Sequence, residues 1–221
     1  MAAVVPINNL MAVIFITGSD TAVGKTHVAA LCARRLAKTG RVQVIKPVES
    51  GAGVGRPPDA LRAAGTWAEP HTLISLPEPL APLAAAARSG KKLTLPRLLN
   101  VYRKLPATKH RVIEGAGGVA VPIDPAGLDW ADFAKAIKPS VIILVVEDRL
   151  GAINQSRLAV AYLKHKKVKA TVAVWLNAAH CRPSREVMAA NRDGLRQAKI
   201  SLAGESGFKK QKPIFNSSFF K

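Results

Sequence analysis

The stretch "FITGSDTAVGKTHVAALCARRLA" (Phe15–Ala37) decides the fold. An apolar run, Ala12–Thr17, leads into a glycine loop that ends in Gly24-Lys25-Thr26, after which apolar residues recur at helical spacing. Strand, loop, Lys-Thr and helix, in that order, form the context of a nucleotide phosphate loop. The usual spelling, G-x-x-x-x-G-K-[ST], would put glycine where this chain has Ser19, and the nearest glycine, Gly18, falls one place early. Backbone N–H groups from Thr21 through Ala22, Val23, Gly24 and Lys25 to Thr26 are expected to cup phosphate oxygens at the positive end of the helix. Lys25 would reach the β- and γ-phosphates, and the Thr26 hydroxyl would meet Mg²⁺.

Working outward, "VQVIKPV" (42–48), "HRVIEGAGG" (110–118), "SVIILVVED" (140–148) and "ATVAVWLN" (170–177) read as further strands, with helices at 93–104, 129–137, 152–165 and 184–198. Gly40 is expected to close the first helix. The proline-rich piece Leu76–Gly90 reads as a loop feeding a short Ala-rich helix, and the tail after Leu202 has no periodicity. Strands that are apolar throughout and separated by helices indicate a parallel sheet covered on both faces. The expected class is therefore α/β: a three-layer P-loop NTPase-like domain with a mostly parallel sheet, helices on both faces and ligands at the C-terminal edge of the strands. With no repeat and no linker, residues 12–221 read as one domain. Residues 1–11 read as an N-terminal lead-in, and Met11 is an equally good start.

At 221 residues, 48% hydrophobic and 21% charged, the chain has the composition of a soluble globular protein. Its two cysteines, Cys32 and Cys181, imply no disulfide framework and fit a reducing cytoplasm. His180 beside Cys181 has no second ligand pair at metal spacing. No apolar run reaches the length of a membrane span. The formal charge is +19, and from Gly151 onward there are 14 Lys and Arg against 3 Asp and Glu. A nucleic-acid surface is one reading of that charge. No aromatic residues interleave "KHKKVK" or "KKQK" as a single-strand stacking platform would need, so a basic surface with affinity for anionic substrates is expected instead.

Three further stretches give the loop its meaning. "GSDTAVGKT" resembles the G-T-D-T-x-V-G-K-T loop of dethiobiotin synthetases, in which a hydroxyl residue also takes the first glycine position. "KPVESG" (46–51) and "VIEGAGG" (112–118) are similar to that family's K-P-V-x-S-G and V-E-G-A-G-G. "DRLGAINQS" resembles its L-G-x-I-N-H segment with Gln155 for histidine, and "VWLN" ends at Asn177, where the family has an adenine-contacting asparagine. The likeness runs from about Ile14 to Asn177.

The resemblance implies an ATP- and Mg²⁺-dependent enzyme that closes a cyclic urea on 7,8-diaminononanoate with CO₂, giving dethiobiotin through a carbamate and a carbamic-phosphoric anhydride. It implies Lys25, Lys46, Thr21 and Ser50 as catalytic groups and Thr26, Asp59 and Glu114 as metal ligands. Ala22–Thr26, His27, Glu114, Gly117 and Asn177 would bind nucleotide. Ser50, Gly118 and Asn154 would bind substrate, Asn154 from the neighbouring subunit of a homodimer. From chemistry alone, a lysine at a strand tip such as Lys46 either enters the phosphate edge or snorkels to solvent. Glu114 ends a strand where P-loop proteins hold an acid near the metal. Asp59, taken alone, is a surface charge in a polar loop.

The chain departs from the family pattern in three places. Ala22 stands where Glu or Gly is common, "GESG" (204–207) only faintly matches a G-E-I-P segment, and the tail is short and basic. The competing reading within P-loop proteins is a partition-type ATPase switch, whose loops carry a second lysine where this chain has Asp20. A nucleic-acid-linked ATPase is a further alternative.

Overall fold

The computed structural model describes residues 12–53, 55–178, 181–207, 213–217 and 219. The lead-in 1–11, His180 and the run "KKQK" lie outside them. The elements run β1 (Ala12–Gly18), α1 (Lys25–Leu36), β2 (Val42–Ser50), α2 (Asp59–Ala64), β3 (Glu69–Leu76), α3 (Pro82–Arg88), α4 (Leu95–Arg103), β4 (His110–Gly118), α5 (Trp130–Ile137), β5 (Val141–Glu147), α6 (Ala152–His165), β6 (Thr171–Asn177), α7 (Arg185–Gln197), β7 (Ser201–Ser206) and β8 (Ile214–Phe215).

One sheet takes all eight strands in the order β3-β2-β4-β1-β5-β6-β7-β8. Every pairing is parallel except β7 with β8. Successive side chains of a strand point to opposite faces. In β5, Ile142, Leu144 and Val146 enter one core while Val141, Ile143 and Val145 enter the other. The second core is roofed by α1 and α2, and the first by α3 to α7. The three expected layers are present, with the glycine-loop strand β1 at the middle of the sheet. In the first core Phe15, Tyr102, Trp130 and Phe133 form a tilted and edge-on aromatic cluster that fixes α4 and α5 beneath β1.

Local chemistry sets the helix ends. Asp129 and Asp132 make a reciprocal capping box at the start of α5, and Thr94 and Ser184 accept backbone N–H groups at the starts of α4 and α7. In α1, Val28, Ala29, Cys32, Ala33 and Leu36 form the buried stripe. That helix ends at Leu36, earlier than expected, because Thr39 Oγ1 donates to the Leu36 carbonyl and Ala37 takes the C-cap position. Gly40 has no left-handed φ. Its missing side chain instead makes room for Lys109, whose Cδ would lie 2.4 Å from a Cβ there.

Three strands escape the sequence reading, the two-residue β8 and, for identifiable reasons, β3 and β7. β3 lies at the sheet edge, carries Pro70 and is mostly half-buried or exposed, so it lacks the apolar run of an interior strand. In β7, Gly204 leaves space that the Trp175 ring fills, with Cζ3 2.4 Å from where a Cβ would stand. The strand's packing surface is therefore donated by its neighbour. Asp59, read as a loop residue, opens α2 after Pro58.

Candidate active site

β1 delivers the loop to the C-terminal edge of the sheet, and Ser19 N–H donates to the Val145 carbonyl of β5, pinning the loop's entry. Ala22 (φ 57°) and Gly24 (φ 94°) are both left-handed. Such residues turn successive N–H groups inward and make an anion-binding concavity. The cost falls on Ala22, since a non-glycine residue there carries about 1 kcal/mol of strain. From behind, Asn177 at the end of β6 is buried and its Nδ2 donates to the Val23 carbonyl at 2.8 Å. A Cβ on Gly24 would meet that nitrogen at 2.0 Å, so the loop sequence and Asn177 are sterically matched.

In front of the loop lies an open cleft of about 1160 Å³. Lys46 and Glu114, expected at strand ends, stand in the middle of β2 and β4, which run on to Ser50 and Gly118; Lys46 is 4% exposed. Its Nζ lies 2.6 Å from Glu114 Oε1 and 3.0 Å from Asp59 Oδ2. Thr26 Oγ1 donates to the same Glu114 Oε1 at 2.9 Å. Burial works against the Lys46 ammonium, yet the Glu114 and Asp59 carboxylates outweigh it and hold its pKa above the ordinary lysine value. Burial would raise the Asp59 carboxyl too, but Lys46 outweighs it and keeps the group below the usual range. Lys25 has the opposite balance. Burial, helped by the Lys46 charge, brings it down to about 8, and its Nζ donates to the Asp20 carbonyl of its own loop at 2.7 Å.

Some polar atoms here have nothing to bind. Glu114 Oε2 and the hydroxyls of Thr17, Ser19 and Ser50 are buried and unpartnered among the described residues. Buried polar atoms are nearly always satisfied. An orphaned carboxylate oxygen beside Thr26 Oγ1 and Asp59, at the mouth of a phosphate loop, is the donor set of a hard oxygen-seeking cation. Among the described residues no cluster of three or more His, Cys, Asp or Glu side chains could hold a metal by itself. Thr26, Asp59 and Glu114 therefore suit Mg²⁺ shared with nucleotide phosphates and water.

Of the residues singled out from sequence, Thr21, Ala22, Val23, Gly24, Lys25, Thr26, His27, Lys46, Ser50, Asp59, Glu114 and Gly117 line one cleft. Gly118, Asn154 and Asn177 do not. Gly118 packs against the Ser19 backbone, Asn177 braces the loop, and Asn154 is exposed on α6. The structure adds residues that sequence reasoning missed. Glu49 is buried, and its Oε1 accepts the Asp59 N–H at 2.8 Å while Oε2 takes the Thr72 hydroxyl. It thereby sets the first turn of α2 and the Asp59 carboxylate. The x of K-P-V-x-S-G carried no signal for this. Arg56, Arg62, Glu147, Arg149 and Gln155 also line the cleft.

A family model described as an AAA domain matches residues 12–204. An ATP-dependent dethiobiotin synthetase of Anaeromyxobacter dehalogenans is 39% identical over 161 residues, covering 69% of this chain and 71% of that protein. The chain belongs to the dethiobiotin synthetase family. The synthetase of Mycolicibacterium gilvum is 37% identical over 164 residues, with 72% of each chain covered. Among solved structures, a putative plasmid partition protein from Borrelia burgdorferi bound to AMPPNP has a TM-score of 0.57 at 12% identity, covering 90% of this chain and 86% of that one. A ParA family ATPase from Chlorobium tepidum gives 0.55 at 12% identity, covering 92% and 86%. At that identity these two similarities concern the fold alone, and they support its P-loop α/β class.

Proposed function

We propose that this member of the family makes dethiobiotin, closing a cyclic urea on 7,8-diaminononanoate with CO₂ at the expense of ATP. The observation that carries the reading is the convergence of Thr26, Lys46, Asp59 and the half-satisfied Glu114 at the mouth of the phosphate loop. One amine takes up CO₂ as a carbamate, the carbamate oxygen attacks the γ-phosphorus, and the second amine displaces phosphate from the mixed anhydride. This chain's residues must hold carbamate and γ-phosphoryl in line, offset growing charge and exclude water. Lys25 leaves the Asp20 carbonyl for the phosphates, and Lys46 supplies charge at the transferring group. Thr21 and the unpartnered Ser50 hydroxyl donate to phosphate or carbamate oxygens. The residues that would hold Mg²⁺ are Thr26, Asp59 and Glu114, and the ion would neutralise phosphate charge.

A homodimer is part of this reading. Asn154 is exposed on α6, away from its own cleft, and Leu150 and Leu158 beside it are 76% and 62% exposed. A second subunit would cover that face and receive Asn154 at its substrate site. No helix among the described residues is long and apolar enough to cross a membrane. Both cysteines are free, which fits the proposed cytoplasmic location. A specific nucleic-acid partner is not part of the proposal.

The test is ATP turnover by purified protein at physiological salt. It should require 7,8-diaminononanoate together with bicarbonate and should be unmoved by duplex DNA. Several-fold stimulation by DNA without the diamine would replace this reading with a nucleic-acid-linked ATPase.

A further inference from the structure

Resting on the proposed reaction, we infer that Glu147 and Gln155, on the β5–α6 wall of the cleft, recognise an amino group of the diamine. Neither belongs to the phosphate and metal apparatus. Of the four carboxylates lining the cleft among the described residues, Asp59 and Glu114 are committed to Lys46, and Asp20 accepts its neighbour's N–H, Thr21 N at 2.6 Å. Glu147 is the one of these that neither pairs with Lys46 nor belongs to the phosphate loop. Arg149 Nε donates to its Oε2 at 3.0 Å, and Arg149 Nη1 is turned to the Leu150 carbonyl. The arginine therefore orients Glu147 and is itself partly satisfied.

Gln155 lies in the first turns of α6, and its Oε1 is buried in the cleft wall with no partner among the described residues. Leaving a buried acceptor unmade carries a cost unless a ligand completes it. The adjoining Asn154 points elsewhere, to the exposed side of the helix. One side of the α6 first turn thus serves its own cleft.

The open acceptors of the wall are a carboxylate oxygen of Glu147 and the amide oxygen of Gln155, while Arg149, which also lines the cleft, is turned to Glu147 and the Leu150 carbonyl. The complement is a group that brings N–H donors and tolerates a neighbouring negative charge, which is an amine. Phosphates have no N–H and would be repelled by Glu147. Glu147 and Gln155 are therefore assigned to positioning and specificity for the diamine, while ATP is held by the loop.

The experiment is steady-state kinetics on Gln155→Leu, Gln155→Glu and Glu147→Gln. It is paired with calorimetric binding of 7,8-diaminononanoate to enzyme holding Mg²⁺ and a non-hydrolysable ATP analogue, with no bicarbonate. A hydrogen bond to a charged partner is worth roughly tenfold or more in binding. Gln155→Leu and Glu147→Gln should each raise KM and Kd for the diamine about tenfold, with KM for ATP within about twofold of wild type. Gln155→Glu keeps an acceptor and should stay within about threefold. If Gln155→Leu does not fold, Glu147→Gln and Gln155→Glu still decide the matter. Folded variants whose diamine KM and Kd match wild type would overturn the assignment and leave the proposed function standing. A wild-type enzyme that forms no dethiobiotin would remove the function itself, and this assignment with it.

Discussion

Replacing Lys46 by methionine isolates what the buried cation does before any ligand arrives. The wild-type ammonium lies 2.6 Å from Glu114 and 3.0 Å from Asp59, and both carboxylates are buried. Removing one partner of a buried pair leaves an uncompensated charge and costs about 3–5 kcal/mol. The lower end applies here, because Asp59 keeps Arg62 at 3.0 Å and Glu114 keeps the Thr26 hydroxyl. About 3 kcal/mol corresponds to a fall in Tm of roughly 6–12 °C for a chain of this size. Mg²⁺ should reverse much of the loss. The methionine leaves Asp59 Oδ2 and Glu114 Oε1 without the ammonium, and metal at a hundred times its Kd restores about 2.7 kcal/mol. In wild type the ammonium competes for the same oxygens, so Mg²⁺ without nucleotide should move Tm by much less. The assay is thermal melting of both proteins across a Mg²⁺ titration, with calorimetry for Kd. Equal Mg²⁺ shifts in both proteins, or a variant that melts with wild type in metal-free buffer, would show that Lys46 and Mg²⁺ do not share these oxygens.

Three other outcomes follow from particular residues. Ala22→Gly releases left-handed strain of about 1 kcal/mol and should raise Tm by roughly 2–4 °C without weakening ATP binding, as melting and calorimetry would show. Burial would raise the Asp132 carboxyl, but Lys166, 2.5 Å away, and the Asp129 backbone N–H outweigh it and hold its pKa below the ordinary range. That stability is complete above the unfolded value near about 3.9 and is lost as pH falls through the folded one, so the Tm gap between wild type and Asp132→Asn should be open at pH 7 and close on acidification below about 4. Lys25→Ala should lower turnover at least ~100-fold. Mixing it with inactive Asn154→Ala should restore part of the activity, since one hybrid site carries neither change, and a fully active monomer by light scattering would contradict this.

The fold was legible where one residue pattern had one structural solution. The all-apolar run Val141–Val146 fits a strand buried on both faces and nothing else of that length, and the glycine loop could only sit between a strand and a helix. β3 and β7 were not legible because their stability comes from partners, β2 for the edge strand β3 and the Trp175 ring for β7. At the site, the family motifs pointed to Lys46 and Glu114, which the structure brings into contact. Glu49 and Gln155 stayed hidden because their meaning is positional. Glu49 acts through the Asp59 backbone, ten residues on, and Gln155 matters only because its oxygen is left open in the cleft wall. The role of Asn177 behind Val23 spans 154 residues of sequence and needed the β6 register to be seen.

Cyclic urea formation can be followed directly by supplying the purified protein with 7,8-diaminononanoate, ¹³C-bicarbonate, Mg²⁺ and ATP and analysing the product by mass spectrometry. The expected product is dethiobiotin carrying one ¹³C in its urea carbonyl, formed in a one-to-one ratio with ADP and absent when diamine or bicarbonate is withheld. ADP released at the same rate with and without the diamine, and no labelled cyclic urea, would contradict it.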